Sequence, residues 1–597
     1  VASDLELLRA YEPIIRFTNG ELFLPTSVES YVASCSLWET RNDGSKEQIA
    51  SPGELDLARL AEEGRRGGER ALSLRFVQTP LSRAEYRAWR KTPRPRLGRG
   101  GRFQTVGYVG RLIDGAFRAT LLARGSVPGG HIAAAETTYR NEVRDGTYPY
   151  YGHVSRTGGY IVLQYWYFYA MNDWRSTFGG VNDHEADWEM ACVYLSEGEH
   201  GPVPEWVALS NHDFTGDDLR RRWDDPDLER KGLHPIGFAG AGSHSGAFIP
   251  GDYVTRVHTP VIDWLNGVTL GIKRAVRRRR GQPPAQAQGF GIPYVDYARG
   301  DGVGIGPGQD HQWAPVVIDD DVPWVRDFRG LWGLDTGDPF GGERAPAGPR
   351  YERERVVRGS WADPVAWAGL QKVPPGPVEY GRSLERRIEE IGELLDDKER
   401  EIDEARARLR AHFAARESLA ARGPARAQRR ELSREIASEE KTVDQLITER
   451  SALIEERRLH EVTLDGEPPK TDPHAHLIRA HGPYEPRIRG RQRFLTIWAA
   501  ISAPLLIASL ILVVINPVAG TVATFALITL VFGAVEAWGR GRLFLLVGVL
   551  LGAILILIVG TIFVGLLIVN WRLAIVALLA VIALALLFSN IRELVRH

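Results

Sequence analysis

Between residues 494 and 588 the chain is almost wholly apolar, and no other feature restricts its fold as severely. Soluble helices keep a polar face, so an apolar run of this length reads as membrane-spanning. Three breaks divide it. Asn516-Pro517 ends a helix, 539–542 (GRGR) is charged, and Asn570-Trp571-Arg572 makes a polar turn. Four spans result, 494–515, 518–538, 543–569 and 573–588; a crossing helix needs about 20 apolar residues.

Arginine placement sets the orientation. Arg487, Arg489, Arg491 and Arg493 precede the first span, Arg540 and Arg542 separate the second from the third, and Arg592 and Arg596 follow the last. The opposite loops carry Arg572 alone. The positive-inside rule makes the arginine-rich side cytoplasmic. The start, VASDLELLRAYEP, has neither the basic nor the apolar region of a signal peptide. The expectation is an integral membrane protein with a large cytoplasmic N-terminal part and membrane lipid as partner. Glu536 falls near a span end and reads as interfacial. A net charge of −1 supplies no field for nucleic acid. Two cysteines, Cys35 and Cys192, exclude a disulfide scaffold and a zinc–cysteine centre and suit a reducing compartment.

Residues 381–460 change to an Arg/Glu/Ala/Leu composition. Leu384, Ile388, Ile391, Leu395, Ile402, Ala405 and Leu409 keep a 4-3 spacing, interrupted by Lys398. After Gly423-Pro424 a second arm carries Leu432, Ile436, Val443, Leu446 and Leu453. This predicts an antiparallel coiled-coil hairpin, a spacer or a surface for self-association or a protein partner. Residues 461–493 form a Pro/His/Arg-rich linker into the membrane region 494–597. His474, His476 and His481 are metal-ligand types but read here as part of a solvated linker.

Residues 1–380 alternate short apolar runs with Gly/Pro turns: YIVLQYWYFY, WEMACVYL, EWVALSN, HPIGFAGAG. These predict a β-rich sandwich with peripheral helices, one of them over 82–93. A basic Gly-rich loop follows (91–103), and 261–281 reads as an amphipathic helix ending in four arginines. The fold class is therefore multidomain: β-rich sandwich, coiled-coil hairpin and four-helix transmembrane region.

Within NDHEADWEMACVYL, a strand over 187–195 would put Asp187 and Glu189 on one face and Trp188, Met190, Cys192 and Tyr194 on the other. His184 would precede it on a turn, and Asp173 would end the antiparallel neighbour. Three carboxylates and one imidazole then converge, and a cation would relieve their repulsion. Oxygen-rich ligation with one nitrogen suits Mg²⁺, Ca²⁺ or Mn²⁺ better than Zn²⁺. A solvated strand end paired with arginines is the alternative. His212, His234, Ser243 and His244 lie near strand ends and would line a cleft.

Several blocks occur in a characteristic order: YEPIIRFTNGELFLPTSVESYV, QYWYFYAMND, HEADWE, SNHDF, HPIGFAGAGSHSGAFIPGDY and FRGLWG…APAGPR…WADP. Over about residues 5–370 the chain resembles the Vps62-like (vacuolar protein sorting) family. More distantly it is similar to the necrosis-inducing NLP proteins, whose heptad reads GHRHDWE. The NLP resemblance implies a β-sandwich with a divalent cation held by His184, Asp187, Glu189 and an upstream acid, Asp173. Asp183 and Ala186 replace the heptad's glycine and second histidine. That loss argues against cytolytic activity. The Vps62-like resemblance implies trafficking but no reaction.

The expected function is a membrane-anchored binding or scaffolding module for a lipid headgroup, a glycan or a protein. A metal-dependent ester or phosphoester hydrolase is the rival, with His212 or His244 as general base. Ser243 lacks a G-x-S-x-G elbow, and no P-loop is present. A membrane-perturbing, toxin-like role is the third reading.

Overall fold

The computed structural model describes residues 3–66, 71–94, 130–173, 183–198, 201–211, 215–257, 292–334, 345–373, 377–419, 425–466, 491–515 and 520–544. Scattered further positions, including 474, 477 and 481–483 and some up to 572, are also described. The chain divides into two compact units: Val1–Gly98 with Thr120–Pro483, and Arg99–Ala119 with Tyr484–His597.

The strands of the first unit are β1 (Ile14–Phe17), β2 (Ser36–Thr40), β3 (Lys46–Ala50), β4 (Ala71–Arg75), β5 (Tyr148–Thr157), β6 (Tyr160–Asn172), β7 (His184–Gly198), β8 (Gly201–Leu209) and β9 (Arg220–Arg222). There follow β10 (Arg230–Lys231), β11 (His234–Ala239), β12 (Gly246–Ala247), β13 (Gly251–Val257), β14 (Ile292–Ala298), β15 (Gly304–Ile305) and β16 (Trp313–Val317). A central sheet runs β16-β5-β6-β7-β8-β9. Its long middle strands are antiparallel, as the aromatic run and the acidic run predict. A smaller sheet runs β10-β11-β1-β15, with β12 on β11. A third runs β3-β2-β4, and β13 pairs with β14.

Every residue of β6 is buried, so the central sheet is covered on both faces. On one face Trp166, Phe168, Trp188, Met190, Cys192 and Tyr194 pack with Tyr31, Leu37, Leu74 and Trp332. On the other, Tyr165, Tyr167, Tyr169, Ala191 and Val193 pack with Ile15, Phe17, Ala239 and Ile305. Alternation along the middle strands divides most of their aromatic side chains between the two cores. Both cysteines are free and buried.

The helix expected over 82–93 runs from Arg83 to Trp89. Ser82 caps it, its hydroxyl accepting from the Glu85 N–H while the Glu85 carboxylate accepts from the Ser82 N–H. The basic loop (91–103, beyond its first residues), the amphipathic segment 261–281 and His212 lie outside the described residues.

Two long helices, Pro377–Ser418 and Ala425–Leu464, follow the β-rich part. Cross-pairs run in opposite directions, Arg387 to Glu456 at 2.8 Å, Lys398 to Glu449 at 3.0 Å and Arg408 to Glu439 at 2.7 Å, so the helices are antiparallel. Leu384, Ile391, Ile402, Ala405, Ile436 and Val443 are buried between them, and the other seam positions are half-buried. Lys398 is less of an interruption than its sequence position implies. Its long stem carries the ammonium out to Glu401 and Glu449.

In the second unit Gln492–Ile515 and Thr521–Gly539 are helical, and both are long and apolar enough to cross a membrane. Phe494 meets Trp538 edge-on at 5.3 Å. Glu536, expected at an interface, bonds Arg540 one turn on at 2.6 Å. Of the four expected spans, these helices cover the first two, and the third and fourth fall largely outside the described residues.

Candidate functional site

The acidic run sits on β7, in register with the aromatic strand: Tyr167 faces Glu189, Tyr169 faces Asp187 and Asn172 faces His184. His184 is thus the first residue of the strand rather than part of a preceding turn. Asp187 and Glu189 share the face of Tyr167 and Tyr169, as strand periodicity requires, and Trp188 and Met190 take the other. Neither acid is at a solvated strand end. Asp187 is 3% exposed and Glu189 5%, because the smaller sheet covers that face.

Alternation breaks at Ala186, whose φ of 59° is uncommon for a residue with a Cβ. Unbroken, it would place Glu185 beside Asp187. Instead the Glu185 carboxylate lies on the opposite face, where it accepts from the N–H groups of Phe76 (2.9 Å), Val77 (2.9 Å) and Leu334 (3.0 Å). His131 Nε2 lies 3.0 Å from it. Glu185 is therefore a structural acid, tying three chain segments to the sheet. Sequence reasoning passed over it; its one signal was an acid flanked by apolar strand residues.

His184 Nδ1 lies 2.8 Å from the Ala186 carbonyl oxygen. A carbonyl only accepts, so Nδ1 carries the hydrogen of this bond. This is the second contact by which proteins orient a ligating imidazole.

Asp187 Oδ2 receives two donors, Asn172 Nδ2 at 3.1 Å and His244 Nδ1 at 2.9 Å. The His244 ring stacks flat on Tyr169 at 3.7 Å, and its Nε2 lies 3.8 Å from Glu21 Oε1. Burial alone would lower the basicity of His244. The hydrogen bond to Asp187 and the nearby charges of Glu21 and Asp187 outweigh it and push the pKa up to about 10. The shift favours the protonated ring, which donates to Asp187 from Nδ1. The backbone of His244 is itself left-handed, φ 56°, so two of the three such non-glycine residues among those described flank this site. Glu189 accepts from the Ser210 hydroxyl, whose oxygen accepts from the Met190 N–H at 2.7 Å. Asp173 closes the group: its N–H donates to the Gly242 carbonyl at 2.9 Å, and the Gly242 N–H donates to Glu21 Oε2 at 2.8 Å. A Cβ on Gly242 would collide with the Asp173 carboxylate, and its φ of 78° also requires glycine.

Ser243 and His234 play other parts. Ser243 Oγ donates to Asp296 at 2.8 Å, so it makes no nucleophile–base pair with His244. His234 is held by the Glu12 carbonyl, 3.0 Å from its Nδ1. Asn172, Asp187 and His244 are thus joined by direct contacts, with Glu21 beside His244, while His234 and Ser243 are held by other partners. Among the described residues, the group of His and carboxylate atoms all within 4.8 Å of one another is Asp225, Asp227 and His474.

Two cavities border the site. One of about 20 Å³ touches Tyr167, Tyr169, Glu189, Ser210 and His244, and about 10–15 Å³ suffices for one water-sized occupant. The Tyr167 hydroxyl, also buried, has no hydrogen-bond partner among the described residues. The other cavity, of about 730 Å³, is lined by Glu21, Arg94, Glu136, Tyr139, Arg140 and His311, among others. Glu21 separates it from His244.

No family model matches the chain, and no curated protein matches it. Two solved structures align with it in part. One, NLPPya in complex with glucosamine, aligns at a TM-score of 0.18 and 11% identity, over 37% of this chain and 67% of that one. The other, the non-toxic HaNLP3 protein, aligns at 0.16 and 12% identity, over 34% of this chain and 62% of that one. The Vps62-like family that the sequence blocks resemble is not among these matches.

Proposed function

We propose that the chain is a membrane-anchored, cation-dependent binding module. Its aromatic β-domain, Vps62-like and sandwich-built, is carried with a coiled-coil hairpin on a four-span anchor, domain toward the cytoplasm. His184 through Nε2, with Asp187, Glu189 and Asp173, would hold a divalent cation of the Mg²⁺, Ca²⁺ or Mn²⁺ class. When bound, the ion supplies a fixed positive charge and open coordination positions for an anionic or hydroxyl-rich group, such as a lipid headgroup or glycan. Asp187 would exchange part of its hold on His244 for the ion, and the small cavity beside Glu189 provides room for that movement. Glu21 holds His244 from the far side. The wide cavity behind Glu21, with Arg94 and Arg140 on its wall, is where the bound group would extend.

The observation that carries this reading is the orientation of His184. Its Nδ1 is held by a backbone carbonyl, the kind of contact that orients a ligating imidazole, at the head of the strand that buries Asp187 and Glu189 on one face. The test is thermal melting of the full chain in detergent, with and without Mg²⁺, Ca²⁺ or Mn²⁺. Melting should rise with the ion, and the rise should vanish in Asp187→Asn/Glu189→Gln. A melt of the unaltered protein that ignores all three ions would end this proposal.

A further inference from the structure

The trio of Asp225, Asp227 and His474 is distinct from the β7 site and made differently. Asp225 and Asp227 follow the edge strand β9, where the chain turns back toward β10. His474 comes from the segment that follows the helical hairpin, 249 residues further on. Its Nε2 lies 2.8 Å from Asp225 Oδ1 and 3.2 Å from Asp227 Oδ2. Tetrahedral ligands at zinc distances are separated by about 3.3 Å, so these atoms already stand near the edges of such a site.

A second observation points to a ligand. The Asp225 side chain is wholly buried, and its Oδ2 has no hydrogen-bond partner among the described residues. Arg221 Nε is 3.8 Å from that oxygen and 3.6 Å from Asp227 Oδ2, beyond hydrogen-bond reach. Arg221 is itself engaged by the Arg220 carbonyl at 2.9 Å and lies over the Phe248 ring. It stands behind the carboxylates as an outer support. Asp227 and His474 are partly exposed, at 27% and 38%, which leaves an entry path for an ion.

We propose that Asp225, Asp227 and His474 form a zinc-class cation site that clamps the segment after the hairpin onto the edge of the central sheet. One imidazole nitrogen and two carboxylate oxygens make a three-ligand set whose two negative charges balance a divalent ion, with the fourth position left to water. A second contact lies a few residues on: His481, buried, stacks on Tyr253 at 4.3 Å. The metal pins the chain at 474 and the aromatic stack at 481.

The test uses full-length protein in detergent, dialysed against buffered Zn²⁺, with bound metal counted by elemental analysis. His474→Ala should carry one zinc fewer than the unaltered protein. His474→Gln, whose side-chain amide reaches the Nε2 position and keeps an N–H donor there but loses the imidazole ligand, should also carry one fewer. Asp187→Asn/Glu189→Gln should retain this zinc, so failure here and failure of the β7 site read differently. Chelation should speed proteolysis within 466–480 in the unaltered protein and leave the rate in His474→Ala unchanged. Equal zinc content in the unaltered protein and both His474 variants would overturn the clamp, as would a cleavage rate indifferent to chelator.

Discussion

The acidic group on β7 and the one beyond β9 use the same side-chain types and are assembled in opposite ways. On β7 the residues are close in sequence and buried in an aromatic core, where each carboxylate is drawn toward its own donor: Asp187 to His244 and Asn172, Glu189 to Ser210. Beyond β9 the residues come from distant segments, lie at a sheet edge, and already converge within coordination reach. Closeness along the chain therefore does not measure closeness of ligand atoms. A strand spaces its same-face side chains by about 7 Å. A crossing segment can place an imidazole directly on a pair of carboxylates.

The largest effect expected from breaking this contrast falls on neither site but on the acid that β7 turns to its other face. Glu185→Ala strands three backbone N–H groups in the core and should cost about 3 kcal/mol or more, read as an early tryptophan-fluorescence melt. A near-normal melt would show Glu185 to be no more structural than its neighbours.

Next comes the cation effect. A divalent ion at a hundred times its dissociation constant should stabilise the protein by about 2.7 kcal/mol. That gain should survive His474→Ala and disappear in Asp187→Asn/Glu189→Gln. If His474→Ala abolished the Mg²⁺ response, the assignment of ions to the two groups would have to be exchanged.

A third imidazole sharpens the comparison from the other side. His153 is buried in the same sheet, stacked on Trp361 at 4.1 Å and bonded to Gln164 rather than to an acid. Burial lowers its pKa, and the Gln164 bond only partly offsets this. The native state thus refuses a proton that the unfolded chain accepts. The stability this contributes is whole above about pH 6.5, the free-imidazole value, and drains as pH falls through the lowered folded pKa. Melting of His153→Gln should fall less steeply than that of the unaltered protein between pH 7.5 and 5. Parallel slopes would contradict it.

The smallest effect belongs to the sheet edge without metal. In chelator, His474→Ala should move stability by no more than about 0.5 kcal/mol, as for other partly exposed positions. A large loss there would mean the imidazole is held by the protein rather than by an ion.

Much of the fold could be read from residue order. The 4-3 spacing of Leu384, Ile391, Ile402 and Ala405 marked one helix of the antiparallel pair, and the aromatic and acidic runs paired as β6 and β7. The site was legible only in part. Period two correctly put Asp187 and Glu189 on one face, but nothing in a local pattern says whether a second sheet covers that face. The positive φ at Ala186 was also out of reach, and with it the transfer of Glu185 to the other core. His244 reached Asp187 through a tertiary contact spanning 57 residues.

Residue order by itself determined the element types, the helical hairpin and the apolar end, because each follows from periodicity and composition within a short window. Tertiary structure alone decided that the β7 acids are buried, that His244 neutralises Asp187 and that His474 meets Asp225 and Asp227. The reason is physical. Burial and electrostatic pairing depend on which distant surface arrives against a face, and that is settled by packing the sheets and the segment that follows the hairpin.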